Sequence, residues 1–194
     1  MNEFLKNSIK NHSKGIGKTF LCHMLAVALS WAAFPLIFLL VARYMTIDSP
    51  LAIFSVFATV IYTLMLLTTG DEMGLTDRKP YKWARYKAKG FVVGALAGII
   101  VFLIQLLMIA IANRAFLVSH PIFKIANVNS YVRMILYMPF FWFYQLIKSG
   151  AAMIPRVTVF SSLFVVPFMS LVTGIGYLMG LAGIDIDWKK RKTK

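Results

Sequence analysis

The chain has 194 residues, a formal net charge of +14 and a hydrophobic fraction of 59%. Soluble domains are about 45–50% apolar and about 25% charged, whereas only 14% of these residues are charged. This composition excludes an ordinary soluble domain. It predicts an all-α, polytopic integral membrane protein, in which residues 1–194 form a single membrane domain.

The N-terminal segment 1–18 is polar and basic, and it ends close to the sequence SKGIGKT. The last three of these residues match the end of a phosphate-binding loop. That loop needs G-x-x-x-x-G-K-[ST] after a buried strand, but His12 replaces its first glycine and an apolar run follows. We therefore predict no nucleotide site. We expect a flexible hinge at Gly15 and Gly17, with Lys18 extending toward the membrane surface.

Four long stretches without charged side chains are predicted to be transmembrane helices. They cover residues 19–42, 49–70, 90–113 and 157–183. A helix rises 1.5 Å per residue, so about 20 residues cross a hydrocarbon core about 30 Å thick. Each stretch is therefore long enough to span a bilayer.

A fifth apolar segment, 131–148, is shorter and rich in aromatic residues, with YMPFFWFY at its centre. Tyrosine and tryptophan rings favour the level of the lipid headgroups. We predict a short re-entrant or interfacial helix. The alternatives are a fifth span, or aromatic rings that simply pack the helix bundle.

The basic residues predict the orientation, because lysine and arginine concentrate in cytoplasmic loops. Four spans with both termini inside place fifteen basic residues in the cytoplasm and six outside, whereas five spans give twelve and nine. We prefer four spans in the plasma membrane. In that topology the N-terminus 1–18, the basic loop 71–89 and the basic tail 185–194 are all cytoplasmic.

The basic loop and tail are predicted to contact anionic lipid headgroups or a partner. On a helix, the basic side chains of the loop would share one side, with Asp71 and Asp77 as local ion-pair partners. The predicted contact residues are Arg78, Lys82, Arg85, Lys89, Trp188, Lys189, Lys190 and Arg191. Alternatively, this charge only sets the topology. Nucleic acid also attracts basic charge, but we expect no nucleic-acid partner because no nucleic-acid-binding fold is visible.

Small and polar residues recur at helical spacing inside the predicted spans. Membrane helices associate through such residues, so helix packing is predicted at Gly94, Gly98, Gly176 and Gly180. A second set could line a polar path for a solute: Ser55, Thr59, Thr63 and Gln105. For Gln105, a hydrogen bond between helices is the alternative.

No catalytic, cofactor-binding or metal-binding constellation is visible. Cys22 is the single cysteine, and no His or Cys accompanies the adjacent acids Asp71 and Glu72. We therefore predict a non-enzymatic accessory subunit or scaffold that acts through helix contacts and anionic lipids. Its expected partners are membrane lipids and other membrane proteins or further copies of itself. The alternative is an oligomeric channel or transporter for a small solute.

Overall fold

A computed structural model describes residues 3–41, 48–78, 86–119, 135–146 and 162–184. Its elements are α1 (Glu3–Val41), α2 (Asp48–Asp77), α3 (Lys89–Ser119), a 3-10 turn (Met138–Phe140), α4 (Phe141–Leu146) and α5 (Val165–Ala182). Within these ranges there is no strand. The prediction of an all-α chain is confirmed for this part of the protein.

Four of the helices are long and apolar enough to cross a membrane, as predicted. The qualifying segments are Ile9–Ala33, Ile53–Asp77, Lys89–Ile111 and Val165–Ala182. Large apolar side chains such as Leu21, Leu107 and Leu171 are more exposed than buried. Lipid tails are as apolar as leucine, so these exposed faces are compatible with a membrane environment.

Three helices extend beyond the uncharged stretches that predicted them, and α3 does so by ending at Ser119. Helix α1 begins at Glu3 and passes through Gly15 and Gly17 without a break, so the prediction of a glycine hinge is wrong. Helix α2 continues to Asp77, and the loop that was expected from residue 71 begins later. Charged residues end a membrane span but do not end a helix, because Lys and Glu are good helix formers.

The chain divides into two compact units, and α1, α2 and α3 each contribute to both. Unit 1 contains Met1–Cys22, Thr63–Ile100 and Val165–Lys194. Unit 2 contains His23–Tyr62 and Val101–Phe164. Helix α5 thus belongs to unit 1, and the aromatic segment belongs to unit 2.

In unit 1, helix α5 packs closely against α2 at two glycines. A Cβ atom added at Gly176 would lie 3.0 Å from the Cα atom of Leu67, and one at Gly180 would lie 2.9 Å from the backbone nitrogen of Leu75. Contacts this short leave no room for a larger side chain. The absent Cβ atoms therefore let the two helix backbones approach each other.

An adjoining side of α5 meets α3 in the same way. A Cβ atom at Gly94 would lie 2.8 Å from the Cα atom of Ser170, and one at Gly98 would lie 2.8 Å from that of Val166. The Ser170 hydroxyl also donates a 2.9 Å hydrogen bond to the carbonyl of Phe91. All the glycines predicted for helix packing lie at contacts of α5 with α2 or α3.

Helix α5 ends in a glycine cap. Gly183 has a φ of 79°, a left-handed conformation that glycine adopts without a steric penalty. The nitrogen of Gly183 donates to the carbonyl of Gly180 at 3.1 Å, and that of Ile184 donates to the carbonyl of Met179 at 3.0 Å. This pair of bonds is the Schellman motif, which satisfies carbonyls at a helix end.

Candidate functional site

A polar cavity of about 110 Å³ lies in unit 1, between the N-terminal part of α1, the end of α2 and the start of α3. It is lined by Asn11, Lys14, Gly15, Lys18, Glu72, Met73, Thr76, Asp77 and Lys89. Lys14 and Lys18 lie one turn apart and therefore on the same side of α1. The volume is well above the roughly 10–15 Å³ that one water needs.

The floor of the cavity is a buried ion pair between Asp77, at the end of α2, and Lys89, at the start of α3. Both side chains are 2% exposed, and the Lys89 ammonium donates to Oδ2 of Asp77. The Tyr177 hydroxyl donates to the same oxygen at 3.0 Å, and Nδ2 of Asn11 donates to Oδ1 at 3.5 Å. A buried ion pair needs such additional donors to offset the desolvation of its charges.

The rim of the cavity carries charges that solvent can reach. Nζ of Lys18 lies 2.9 Å from Oε2 of Glu72, and the two side chains are 47% and 61% exposed. An ion pair this exposed contributes little to stability. Lys14 is also exposed and makes no ion pair with a described carboxylate. It is therefore the cavity cation that remains available for a ligand.

A contact beside the cavity joins α1 to the residues that precede α3. Nε2 of His12 and the hydroxyl of Tyr86 lie 3.1 Å apart, and the two rings stack with centroids 5.7 Å apart. Desolvation raises the pKa of the Tyr86 phenol above its usual value. The phenol is therefore neutral at physiological pH.

The predicted lipid-contact residues divide into three groups. Lys89 is buried against Asp77, so its ammonium is not available to a headgroup. Arg78 is exposed, and its guanidinium lies beside Gly183 at the end of α5. The remaining predicted contacts lie outside the described residues: Lys82, Arg85, Trp188, Lys189, Lys190 and Arg191.

In unit 2, the aromatic segment packs inside the protein. Tyr137, Met138, Phe140, Phe141 and Tyr144 are all at most 2% exposed. The rings among them contact protein instead of solvent or lipid, which favours the alternative of aromatic bundle packing for these residues. Pro139 occupies the first turn of the 3-10 helix, where its missing N–H is tolerated.

Hydroxyl groups of α2 hold this segment in place. The backbone nitrogen of Trp142 donates to Oγ of Ser55, and its indole nitrogen donates to Oγ1 of Thr59, both at 2.8 Å. The Thr59 hydroxyl also lies within hydrogen-bonding reach of the Pro139 carbonyl. Two residues predicted to line a polar path therefore make structural hydrogen bonds. A third, Thr63, is half-buried on the part of α2 that belongs to unit 1.

Helix α1 contributes a histidine and a tryptophan to unit 2. Nδ1 of His23 lies 2.9 Å from the Tyr62 hydroxyl, and the His23 ring makes edge contacts with the rings of Tyr62 and Tyr137. The Trp31 indole donates a 2.9 Å hydrogen bond to the carbonyl of Ile135. These contacts join α1, α2 and the aromatic segment into one polar and aromatic core.

Gln105 is the other member of the predicted path and lies on α3 in unit 2. It is fully buried, and neither its amide nitrogen nor its amide oxygen has a hydrogen-bond partner among the described residues. Unit 2 also has an apolar groove of about 230 Å³ between α1 and α2. Its lining is Ala26, Leu29, Ser30, Ala33, Phe54, Phe57, Ala58 and Ile61.

The described residues include no group of three or more His, Cys, Asp or Glu side chains that could hold a metal ion. Comparison with family models, curated proteins and solved structures finds no match to this chain. The polar cavity is the candidate site because it gathers the two described ion pairs and the exposed Lys14. Sequence reasoning predicted Asp77 as a local ion-pair partner of the basic loop, and the structure pairs it with Lys89. It missed the burial of this pair and the contact with Tyr177, which is 100 residues away from Asp77 in the sequence.

Proposed function

We propose that this protein is a small, non-enzymatic integral membrane protein that works as an accessory subunit or scaffold. In this proposal it crosses the plasma membrane four times as a single membrane domain, both termini are cytoplasmic, and the aromatic segment is re-entrant. It acts through contacts with other membrane proteins, or with further copies of itself, and with anionic lipids.

One observation carries this proposal: Trp142 engages both Ser55 and Thr59 in internal hydrogen bonds. A polar path needs hydroxyl groups that face a solute, whereas these two fasten one segment to α2. The outer faces of the spans instead present large apolar side chains. Such faces are suited to contact with lipid and with helices of other proteins.

The orientation is supported by the charges. Lys14 and Lys18 lie near one end of the α1 span. The C-terminal end of α2, which carries Glu72 and Asp77, lines the same cavity. Because lysine is retained on the cytoplasmic side, we assign the cavity to the cytoplasmic face of the membrane.

Site-specific photocrosslinking in native membranes tests the proposal. A photoreactive residue is placed at one exposed position on each span: Leu21, Phe57, Leu107 and Leu171. Leu66, which is 0% exposed, provides the matched control. We expect adducts with a second protein or a second copy from at least one exposed position and none from Leu66. Only lipid adducts from all exposed positions, together with a monomeric mass in mild detergent, would overturn the proposal.

A channel or transporter is the second candidate, and the buried amide of Gln105 favours it. A polar side chain inside a membrane bundle is often part of a solute path. Proteoliposome flux measurements distinguish the candidates. A solute path would be established if Gln105→Leu abolishes the flux and Thr68→Val leaves it unchanged. Thr68 serves as the control because it is exposed and its hydroxyl bonds within its own helix. Equal leakage from protein-containing and empty vesicles would reject it.

A further inference from the structure

We propose that the polar cavity of unit 1 binds the phosphate of a membrane phospholipid, with Lys14 as its principal contact. This inference deepens the lipid-contact part of the proposed function and rests on it. The observations concern the charge balance of the cavity, the arrangement of its donors and the apolar surface beside it.

The charge balance favours a ligand with one negative charge. The lining contains three ammonium groups, from Lys14, Lys18 and Lys89, and two carboxylates, from Glu72 and Asp77. Glu72 pairs with Lys18, and Asp77 pairs with Lys89. The surplus is thus a single positive charge, and Lys14 carries it. A phosphodiester has a single negative charge at neutral pH and complements this surplus.

The donors of α1 are arranged to converge on such a group. Asn11, Lys14 and Lys18 follow one another at three and four residues, so they share one side of the helix and all line the cavity. Lysine binds phosphate as a point charge with rotatable donors. The ammonium of Lys14 can therefore reach a phosphate oxygen without displacing either existing ion pair.

The surface next to the cavity distinguishes a phospholipid from free phosphate. One turn beyond Lys18, Leu21 is 65% exposed, and Leu64 on α2 is exposed to a similar degree. The two helices stay adjacent here, since Sγ of Cys22 and Oγ1 of Thr69 lie 3.0 Å apart. Exposed apolar side chains thus follow the charged rim, one turn away on α1 and two turns away on α2, where the exposed Thr68 lies between Glu72 and Leu64. Acyl chains would cover this surface, whereas a dissolved phosphate would make no use of it.

Binding measurements on the purified full chain test the inference. The probes are dioctanoyl phosphatidylglycerol, dioctanoylglycerol, which lacks the phosphate, and inorganic phosphate, each titrated in mild detergent and followed by native mass spectrometry. We expect phosphatidylglycerol to bind more tightly than either other probe. Lys14→Gln should weaken this binding roughly tenfold, the effect of losing one charge-assisted hydrogen bond.

Three variants serve as controls. Lys10→Gln removes an exposed lysine one turn earlier on α1 that does not line the cavity, and it should leave the affinity unchanged. Lys14→Arg keeps the charge and should retain binding. Glu72→Gln releases Lys18 and should tighten binding, a gain that misfolding would not produce.

Several results would overturn the inference. These are equal losses in Lys14→Gln and Lys10→Gln, weaker binding in Glu72→Gln, or equally tight binding of inorganic phosphate and phosphatidylglycerol. The last result would identify a site for free phosphate. The crosslinking experiment separates this inference from the proposed function. If lipid binding fails but the exposed positions still crosslink to protein, the lipid site is rejected and the subunit role stands.

Discussion

The hydroxyl of Tyr177 donates a 3.0 Å hydrogen bond to Oδ2 of Asp77, so a residue in the middle of α5 holds the carboxylate at the end of α2. The same carboxylate accepts the ammonium of Lys89. Because Asn11 of α1 also donates to this carboxylate, four helices meet at one buried charge. The floor of the polar cavity depends on α5, although α5 contributes no residue to its lining.

Replacement of Tyr177 by phenylalanine should lower the stability of the protein. A hydrogen bond to a charged group contributes about 1.5–3 kcal/mol, and the variant removes one donor without changing the ring. Thermal unfolding in detergent measures the loss. Tyr86→Phe is the matched control, because that side chain is exposed and solvent can replace its partner. Equal unfolding temperatures for the two variants would contradict the assigned role of Tyr177.

The ion pair of Asp77 and Lys89 should show strong coupling in a double-mutant cycle. Asp77→Asn or Lys89→Met alone leaves one buried charge without its partner, which costs about 3–5 kcal/mol. The double variant removes both charges and should lose less stability than the two single variants added together. Denaturant unfolding of all four proteins gives the coupling free energy. Simple additivity would show that the two charges do not interact in the folded protein.

The long apolar helices were predictable because a long uncharged stretch in a membrane protein has few possible structures other than a membrane-spanning helix.

The glycine contacts were predictable in part. Gly94 and Gly176 stand in G-x-x-x-G patterns, but so do Gly70 and Gly74 on α2, which pack against α5 and were not predicted. Spacing alone identifies a face that permits close approach and does not identify which helix approaches.

Other features could not be predicted, because they depend on partners distant in the sequence. Lys89 belongs by composition to a basic surface strip, and only the positions of Asp77 and Tyr177 make its burial favourable. The tyrosine and tryptophan rings of the aromatic segment each carry one polar group, which could bond to headgroups or to protein. Ser55 and Thr59 supply protein partners, so the rings lie inside unit 2.

Alanine at Gly176 and at Gly17 should have opposite effects. At Gly176 the new Cβ atom would overlap the backbone of Leu67, and overpacking of this kind costs about 1–3 kcal/mol. At Gly17 no atom of the described residues outside the local helix lies within 4 Å of the added Cβ atom. Alanine there should stabilise α1 by about 0.5–1 kcal/mol. The two unfolding temperatures relative to wild type report the effects. Destabilisation by both would show that Gly17 is also a packing position.

Valine at Thr59 should reduce stability and leave solute permeability unchanged. The side chain keeps its shape, but the indole nitrogen of Trp142 loses its acceptor, and loss of a polar contact inside a membrane protein costs about 1–2 kcal/mol. Thr68→Val is the matched control, because that threonine is exposed and, among the described residues, its hydroxyl bonds to Met65 of its own helix. Thermal unfolding and vesicle leakage are measured on both variants. A change in leakage with Thr59→Val and no change in stability would assign Thr59 to a solute path instead of the anchor for Trp142.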